Sequence, residues 1–306
     1  MRYMFTMMNQ ARLSVAVEGL AVAERAYQQT VGYAAKRLQG RAPGTPSGES
    51  SPIAAHPDVA RMLLTMRAQI EAMRRLVYWN AAALDRARRH PDPVAAEEAA
   101  DLAALLTPLS KAWCTDTGVD VASLGIQVHG GVGFIEETVA AQYLRDARIT
   151  PIYEGTNGIQ AIDLVTRKLG LKGGAVVKDH LVRLAALDAD LAAAGPDLAL
   201  TRASLAAGLE ALARATGWLA EHADRPADVL AGATPYLRLM ATVTAGWLMA
   251  RSALAARAEL AAGTGDAAAH CHRIVTARFF CEQLLPPATA LVPAVTAGAA
   301  ALVADR

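Results

Sequence analysis

The chain has 306 residues and a formal net charge of +1 at pH 7, and its three cysteines lie far apart. Its basic residues are scattered among acidic ones, which argues against a nucleic-acid-binding surface or an anionic membrane as partner. So few cysteines favour a reducing compartment, and we therefore expect a cytoplasmic protein. The length is sufficient for two helical domains with a sizeable core.

Alanine and leucine dominate the composition, whereas aromatic residues make up only 5% of it. Together with the scarcity of strand-like alternation, this composition predicts an all-α protein. Apolar spacing predicts helices over about residues 2–40, 57–89, 94–116 and 157–169, with a shorter amphipathic segment ending near residue 149. Beyond a glycine-rich link at 170–174, we expect further helices at about 181–191, 197–221, 234–262 and 266–284.

Methionine recurs through the second predicted helix at steps of three and four residues, which is typical of a buried face. The members of this face are Val59, Met62, Met66, Ile70, Met73 and Val77. The final apolar stretch, residues 284–304, carries no charged residue but is interrupted by prolines. A buried terminal helix is therefore favoured there over a membrane span.

The stretch from residue 143 to residue 160 is the most informative part of the sequence. Pro151 ends an amphipathic segment, and Gly155 allows a sharp turn after it. Thr156 and Asn157 are good N-caps for the helix that follows. Glu154 therefore stands on a turn before a helix, from which its carboxylate can project into a cleft. The alternative is a solvated glutamate beside a helix start.

We expect the helix after this turn to bury an apolar face with helical spacing. This face consists of Ile159, Ile162, Leu164, Val165 and Leu169.

Two runs in this stretch resemble the catalytic segment of acyl-CoA dehydrogenases: Tyr-Leu-Arg-Asp-Ala-Arg-Ile at 143–149 and Ile-Tyr-Glu-Gly-Thr-Asn-Gly-Ile-Gln at 152–160. The resemblance implies that Glu154 is the base that removes the α-proton of an acyl-CoA thioester, and that Gly155 lies against the substrate. It also implies that a hydride leaves the next carbon for a bound FAD, giving a trans-2-enoyl-CoA. In this family the backbone N–H of the glutamate polarises the thioester carbonyl.

A glycine-rich run at 127–134, Gln-Val-His-Gly-Gly-Val-Gly-Phe, resembles the family's Gln-x-x-Gly-Gly-x-Gly-Phe motif. The resemblance implies that its first five residues line the adenosine and phosphate part of FAD across a subunit interface. These residues are Gln127, Val128, His129, Gly130 and Gly131. Taken alone the run is weak evidence, because such glycines often only end a helix.

The resemblance extends to the start of the last helix of this region and to two arginines. Thr156, Asn157 and Gly158 match positions that contact the adenosine-phosphate side of FAD, although several relatives carry glutamine at the position of Gly158. Arg12 matches an arginine placed near the substrate. Arg37 matches one that reaches the FAD pyrophosphate of a neighbouring subunit, a role that suits the guanidinium fork. The alternative for Arg37 is a solvated cation at a helix end.

The region after the glycine-rich link resembles an extra helical domain found in a larger-subunit branch of the family, which includes enzymes acting on 3-methylthiopropionyl-CoA. The sequence therefore predicts an acyl-CoA dehydrogenase C-terminal helical domain at 1–169 and an appended helical domain at 170–306. We expect the second domain to be structural or oligomer-forming. No metal is expected at His270-Cys271-His272, because adjacent helix residues point in different directions.

Members of the family carry an N-terminal helical domain and a middle β-domain, and the sequence shows no matching strand pattern. We therefore expect the C-terminal half of an FAD-dependent acyl-CoA dehydrogenase, inactive by itself. A gene fragment, an expressed portion and a start-site error all remain open. The resemblance also implies an electron-transferring flavoprotein as electron acceptor, and a homo-oligomer, either dimer or tetramer. Two alternatives remain: a non-catalytic helical assembly module, and an acyl-CoA oxidase.

Overall fold

The computed structural model describes residues 2–303 of the chain and the side chains of residues 7–302. Within this part the chain is helical, apart from turns and an isolated bridge between Leu38 and Pro52, so the all-α prediction is confirmed. The α-helices are α1 Arg2–Lys36, α2 Pro57–Arg89, α3 Pro93–His129, α4 Gly131–Phe134, α5 Ala140–Arg148, α6 Asn157–Asp163, α7 Ala175–Ala185, α8 Leu187–Ala193, α9 Ala199–Glu221, α10 Pro226–Ala231, α11 Ala233–Ala261, α12 Ala267–Phe279, α13 Val292–Thr296 and α14 Ala300–Val303.

Helices α1, α2, α3 and α5 form an up-and-down bundle. α2 returns antiparallel to α1, since Arg74 pairs with Glu24 at 2.7 Å and Arg88 donates to Gln10 at 3.0 Å. α3 then reverses again, which makes it parallel to α1. The turn after α3 and the loop between α5 and α6 carry several of the residues that the sequence analysis selected, and the helices beside them carry the others.

Helix α3 continues to His129, so the predicted helix end near residue 116 was wrong. The glycines inside it serve packing rather than termination. A Cβ atom on Gly118 would lie 2.7 Å from the carbonyl oxygen of Gly19, and one on Gly125 would lie 3.0 Å from Thr30 Oγ1. Because these glycines lack a Cβ, α1 and α3 approach each other more closely than side chains would allow.

The face that α6 buries differs from the predicted one. Leu164 and Val165, just after the helix, are buried as expected, but Ile159 and Ile162 are 45% and 40% exposed. Gln160 is fully buried instead. The short helix is therefore rotated so that a polar side chain faces inward and two isoleucines remain on the surface near Glu154.

One hydrophobic core runs through both predicted domains. The methionine face of α2 lies in it, with Met66 and Met73 fully buried, so that prediction is confirmed. Trp79 of α2 contacts Trp247 of α11, with ring centroids 5.2 Å apart. The division between residues 169 and 170 remains a prediction, because the core is shared across it.

Helix α11 is the central helix of the second half. Within the described residues it is long and apolar enough to span a membrane by length and composition, but 83% of its most apolar window is buried inside the protein. Core helices of bundles have the same composition. The prediction of one buried terminal helix was wrong. Pro286, Pro287 and Pro293 divide the final stretch into short helical pieces, which still bury Val295 and Ala299.

Candidate active site

Residues 150–156 form a tight loop between α5 and α6, called here the glutamate loop. Two consecutive residues in it have left-handed backbone conformations, Glu154 at φ 55° and Gly155 at φ 82°. The Thr156 side chain then caps α6 by accepting a hydrogen bond from the Ile159 N–H, which confirms the predicted N-cap. A non-glycine residue at positive φ costs energy, so its presence here marks Glu154 as a position of interest.

Arg12 of α1 lies directly beneath the glutamate loop. It is only 4% exposed, donates to Asn9 Oδ1 at 3.2 Å, and lies 3.9 Å from the Asp163 carboxylate. A Cβ atom on Gly155 would lie 3.7 Å from Arg12 Nη2 and 2.9 Å from Gln160 Nε2. The structure thus brings Arg12, Gly155 and the Glu154 loop together, as the sequence analysis proposed for the substrate side.

Lys111 of α3 belongs to the same group, and the sequence analysis missed it. Its side chain is fully buried, and its ammonium group donates to Asn157 Oδ1 at 2.8 Å. Burial lowers the pKa of Lys111 to about 8, while the charges of Asp116 and Glu154 act in the opposite direction. A lysine within the apolar run of α3 was the signal available in the sequence.

A second contact holds the glutamate loop from the side of α1. Tyr153 donates a hydrogen bond from its hydroxyl to Glu18. Partial burial, together with the Glu18 carboxylate, raises the pKa of Tyr153 to about 12, so the phenol stays protonated at neutral pH. Glu154 lies next to this anchored tyrosine and is itself partly exposed.

The other candidate residues lie at the C-terminal end of α3, around residues 130–133, called here the glycine turn. His129 stacks on Tyr33 with ring centroids 4.4 Å apart, and its Nδ1–H donates to the Gly125 carbonyl at 2.7 Å. Its Nε2 is buried and has no hydrogen-bond partner among the described residues. Gly130, at φ 66°, and Gly131 both have open space where a side chain would be, so another molecule can approach their backbone.

The remaining predicted cofactor residues flank this turn with different exposures. Gln127 and Arg37 are exposed and available to a ligand. Val128 is 5% exposed and packs with Ala34 and Met62, so only its backbone can face a ligand.

The structure therefore places the candidate residues in two separate groups. Lys111 stands beside the glutamate loop and His129 beside the glycine turn, and eighteen residues of α3 separate them, or about 27 Å along the helix axis. One copy of the chain does not bring the glycine turn to Glu154.

Two family models match this chain. One, described as "Acyl-CoA dehydrogenase, C-terminal domain", matches residues 1–169, and the other, "Acetyl-CoA dehydrogenase C-terminal like", matches residues 182–305. The chain belongs to the acyl-CoA dehydrogenase family. The resemblance drawn from the residues around Glu154 is thereby confirmed, and the second match supports the predicted kinship of the C-terminal region.

One similar protein agrees with this assignment, and two solved structures share the fold. The 3-methylmercaptopropionyl-CoA dehydrogenase of Ruegeria pomeroyi is 46% identical over 292 residues, covering 93% of this chain and 48% of that protein. An acyl-CoA dehydrogenase of Bacillus anthracis, solved in complex with FAD, has a TM-score of 0.70 at 20% identity and matches 95% of this chain and 49% of its own. ACDH-11 of Caenorhabditis elegans, solved in complex with C11-CoA, has a TM-score of 0.73 at 20% identity, matching 90% of this chain and 42% of its own. The chain thus spans about half the length of these relatives.

Both groups of residues fit contacts with a flavin cofactor of the kind this family carries. At the glutamate loop, Arg12 Nε and Gln160 Oε1 are buried without partners among the described residues, and both side chains lie close to Gly155. At the glycine turn, His129 Nε2 is unpartnered beside two glycines that leave open space. Such unsatisfied buried groups are rare and indicate a bound ligand or water.

Proposed function

We propose that this chain supplies the base and the helical half of the flavin site of an FAD-dependent acyl-CoA dehydrogenase, which converts an acyl-CoA to a trans-2-enoyl-CoA. The observation that carries the proposal is the glutamate loop. It holds Glu154 in a left-handed conformation between two anchors. Tyr153 is bound to Glu18 of α1, and Asn157 is bound to Lys111 of α3. Family membership alone would be compatible with a helical module that has lost its chemistry, whereas a glutamate held at positive φ by two anchors supports an active base.

Glu154 serves the reaction in two ways in this proposal. Its carboxylate accepts the α-proton of the acyl thioester. Its backbone N–H takes no carbonyl partner among residues 2–303, so it is free to donate to the thioester carbonyl as enolate charge develops there. Arg12, buried below Gly155, adds positive charge on the same side of the loop.

When bound, FAD accepts the hydride that leaves the β-carbon, so that the acyl chain is oxidised and the flavin reduced. Thr156 and Gly158, both exposed at the start of α6, would contact its adenosine-phosphate side. The Asn157 side chain is already engaged by α3, so its contribution to the cofactor is indirect.

A second copy of the chain completes the flavin site in this proposal. Because about 27 Å of α3 separates the two groups of candidate residues, a flavin held at one glutamate loop would meet the glycine turn and Arg37 of a partner copy. Exposed apolar side chains surround that turn, with Phe134 81% and Ile135 44% exposed. A homo-oligomer would cover them.

The relatives suggest which substrate to assay first. The Ruegeria pomeroyi relative favours 3-methylmercaptopropionyl-CoA, with straight-chain acyl-CoA thioesters as comparison. We further propose an electron-transferring flavoprotein as the electron acceptor, on the basis of the family resemblance. We propose a cytoplasmic location on the basis of the low cysteine content.

The test begins with the purified chain, for which flavin absorbance and FAD binding are measured. Because the chain spans about half of its relatives, acyl-CoA-dependent dye reduction is then measured on a chimera that joins it to the first half of the Ruegeria pomeroyi relative. Dye reduction supports the proposal. Peroxide formation with oxygen as acceptor would indicate an oxidase. Absence of bound FAD in the chimera would favour the alternative of a non-catalytic assembly module.

Substitution of the base gives the sharpest prediction. Glu154→Gln retains the size and hydrogen-bonding capacity of the side chain but cannot accept the α-proton. We expect turnover in the chimera to fall by at least about 10³-fold, while FAD is retained at the wild-type ratio. Glu210→Gln, on an exposed carboxylate of α9, is the control and should retain full turnover. Appreciable turnover in Glu154→Gln would remove this residue from the mechanism.

A further inference from the structure

Lys111 is an unexplained feature of the site. No other lysine among the described residues is buried, and this one is 0% exposed within the apolar run of α3. Withdrawing an ammonium group from water is costly unless it is paired. Yet no carboxylate lies within ion-pair distance of Lys111 in the described part of the chain, and its hydrogen bond goes to a neutral amide. Buried, unpaired charges of this kind cluster at functional sites.

The amide that Lys111 binds is fully engaged by α3. Asn157 Oδ1 accepts from Lys111 Nζ at 2.8 Å, and Asn157 Nδ2 donates to the Ala112 carbonyl at 3.1 Å and to Asp116 Oδ1 at 2.7 Å. The Asn157 backbone N–H donates to the Pro151 carbonyl at 3.0 Å. Asn157 therefore ties the glutamate loop to α3 through its side chain and closes the loop on Pro151 through its backbone N–H.

We propose that Lys111 and Asn157 are positioning residues, which hold the glutamate loop against α3 and keep a positive charge beside Glu154. This inference rests on the proposed function, because it assumes that Glu154 is the base. Neither residue touches the substrate in this arrangement. Their effect is on where the carboxylate lies and on the charge beside it.

The charges around Lys111 support this role. Asp116, one turn along α3, and Glu154, from the loop, both favour its ammonium form, whereas Arg12 from α1 opposes it. Burial lowers the pKa of Lys111, but the value of about 8 leaves the group mainly protonated at pH 7. A cation is thus present beside Glu154 under physiological conditions.

The first experiment measures loop order in the chain itself by hydrogen–deuterium exchange. Lys111→Met keeps an unbranched chain one atom shorter and removes its charge, and Asn157→Ala removes the amide. In both variants we expect exchange at residues 152–158 to accelerate at least about tenfold. Lys111→Met loses one charge-assisted hydrogen bond, and Asn157→Ala loses that bond together with those to Ala112 and Asp116. Lys178→Met, on an exposed lysine of α7, is the matched control and should leave the exchange unchanged.

The second experiment measures kinetics in the chimera. A displacement of the base by about 1 Å can cost about 100-fold in rate. We therefore expect both variants to lower kcat by about that factor, with the KM for acyl-CoA and the FAD content nearly unchanged. The acidic limb of the pH–kcat profile should move to higher pH in Lys111→Met, which removes the cation, and stay in place in Asn157→Ala, which retains it.

The outcomes separate the two proposals. Wild-type loop exchange and wild-type kcat in either variant would overturn the positioning role while leaving the proposed function intact. A fall in melting temperature with an unmoved kcat would assign Lys111 a merely structural role and would also overturn it. If Glu154→Gln remains active, the proposed function fails, whereas the exchange measurement still reports whether Lys111 and Asn157 order the loop.

Discussion

At the scale of single residues, the conformation of two neighbours determines where the candidate base points. Glu154 and Gly155 are both left-handed, so the chain reverses within two residues and Glu154 is left beside Arg12 and Lys111. A glutamate at φ 55° is held there by surrounding contacts, since an isolated residue would avoid this region. The loop therefore depends on its anchors at Tyr153 and Asn157.

Gly155→Ala tests how closely the loop is packed. The new Cβ would lie 2.9 Å from Gln160 Nε2, and the residue would also carry the cost of a left-handed alanine. Gly195→Ala, at φ 86° with open space around it, carries only the second cost. We expect the control to lose about 1–2 kcal/mol of unfolding free energy in urea and to retain its activity in the chimera. Gly155→Ala should lose more stability and most of its turnover; equal behaviour of the two variants would contradict the packing argument.

At the scale of elements, close packing between α1 and α3 determines how far α3 continues. Gly118 and Gly125 would ordinarily weaken a helix by about 1 kcal/mol each relative to alanine. Here their lack of a Cβ lets α1 approach α3 closely. A Cβ on Gly118 would lie only 2.7 Å from the Gly19 carbonyl oxygen. Apolar spacing predicted a helix end near residue 116, whereas the packing of α1 on α3 allows the helix to continue to His129.

Gly118→Ala should therefore destabilise the protein although alanine is the better helix former. The gain in propensity is about 1 kcal/mol, whereas overpacking against a backbone carbonyl costs about 1–3 kcal/mol and more where the backbone cannot move. Gly32→Ala in α1 has nothing within 4 Å of the new Cβ and should be neutral or stabilising. Urea unfolding of both variants measures the difference, and a stable Gly118→Ala protein would show that α1 and α3 are not closely packed.

At the scale of the whole molecule, the two halves meet at a buried aromatic junction. His180 of α7 stacks on Trp79 of α2 at 5.9 Å, and its Nε2 contacts Thr244 Oγ1 of α11 at 3.1 Å. Burial, with a smaller contribution from Arg183, lowers the pKa of His180 to about 3. The junction consequently holds a neutral histidine at neutral pH.

This junction predicts acid sensitivity of the fold. Below pH 6.5 the unfolded chain binds a proton at His180 that the folded chain does not, so stability falls as the pH falls from 6.5 towards 3. Between pH 7.5 and pH 5 the expected loss is about 2 kcal/mol of unfolding free energy. His180→Phe should flatten this part of the pH dependence in urea titrations, whereas His222→Phe, on a half-buried histidine, serves as the control. A wild-type slope in His180→Phe would assign the acid sensitivity to other groups.

The sequence by itself determined the helical class, the position of most helices, the buried methionine face and the motif around Glu154. These are local properties: composition, 3.6-residue spacing and turn chemistry act over a few neighbours along the chain. The N-cap at Thr156 and the chain reversal at Gly155 are local properties as well.

Only the tertiary structure decided what lies beside these motifs. It buried Lys111 and Arg12 under the glutamate loop, turned Ile159 outward and Gln160 inward, and set the glycine turn about 27 Å along α3 from the base. The physical reason is that burial, charge proximity and close helix contact depend on residues far apart in the sequence, such as Gly19 with Gly118. No local pattern encodes such pairs, because each partner alone looks like an ordinary residue of its own helix.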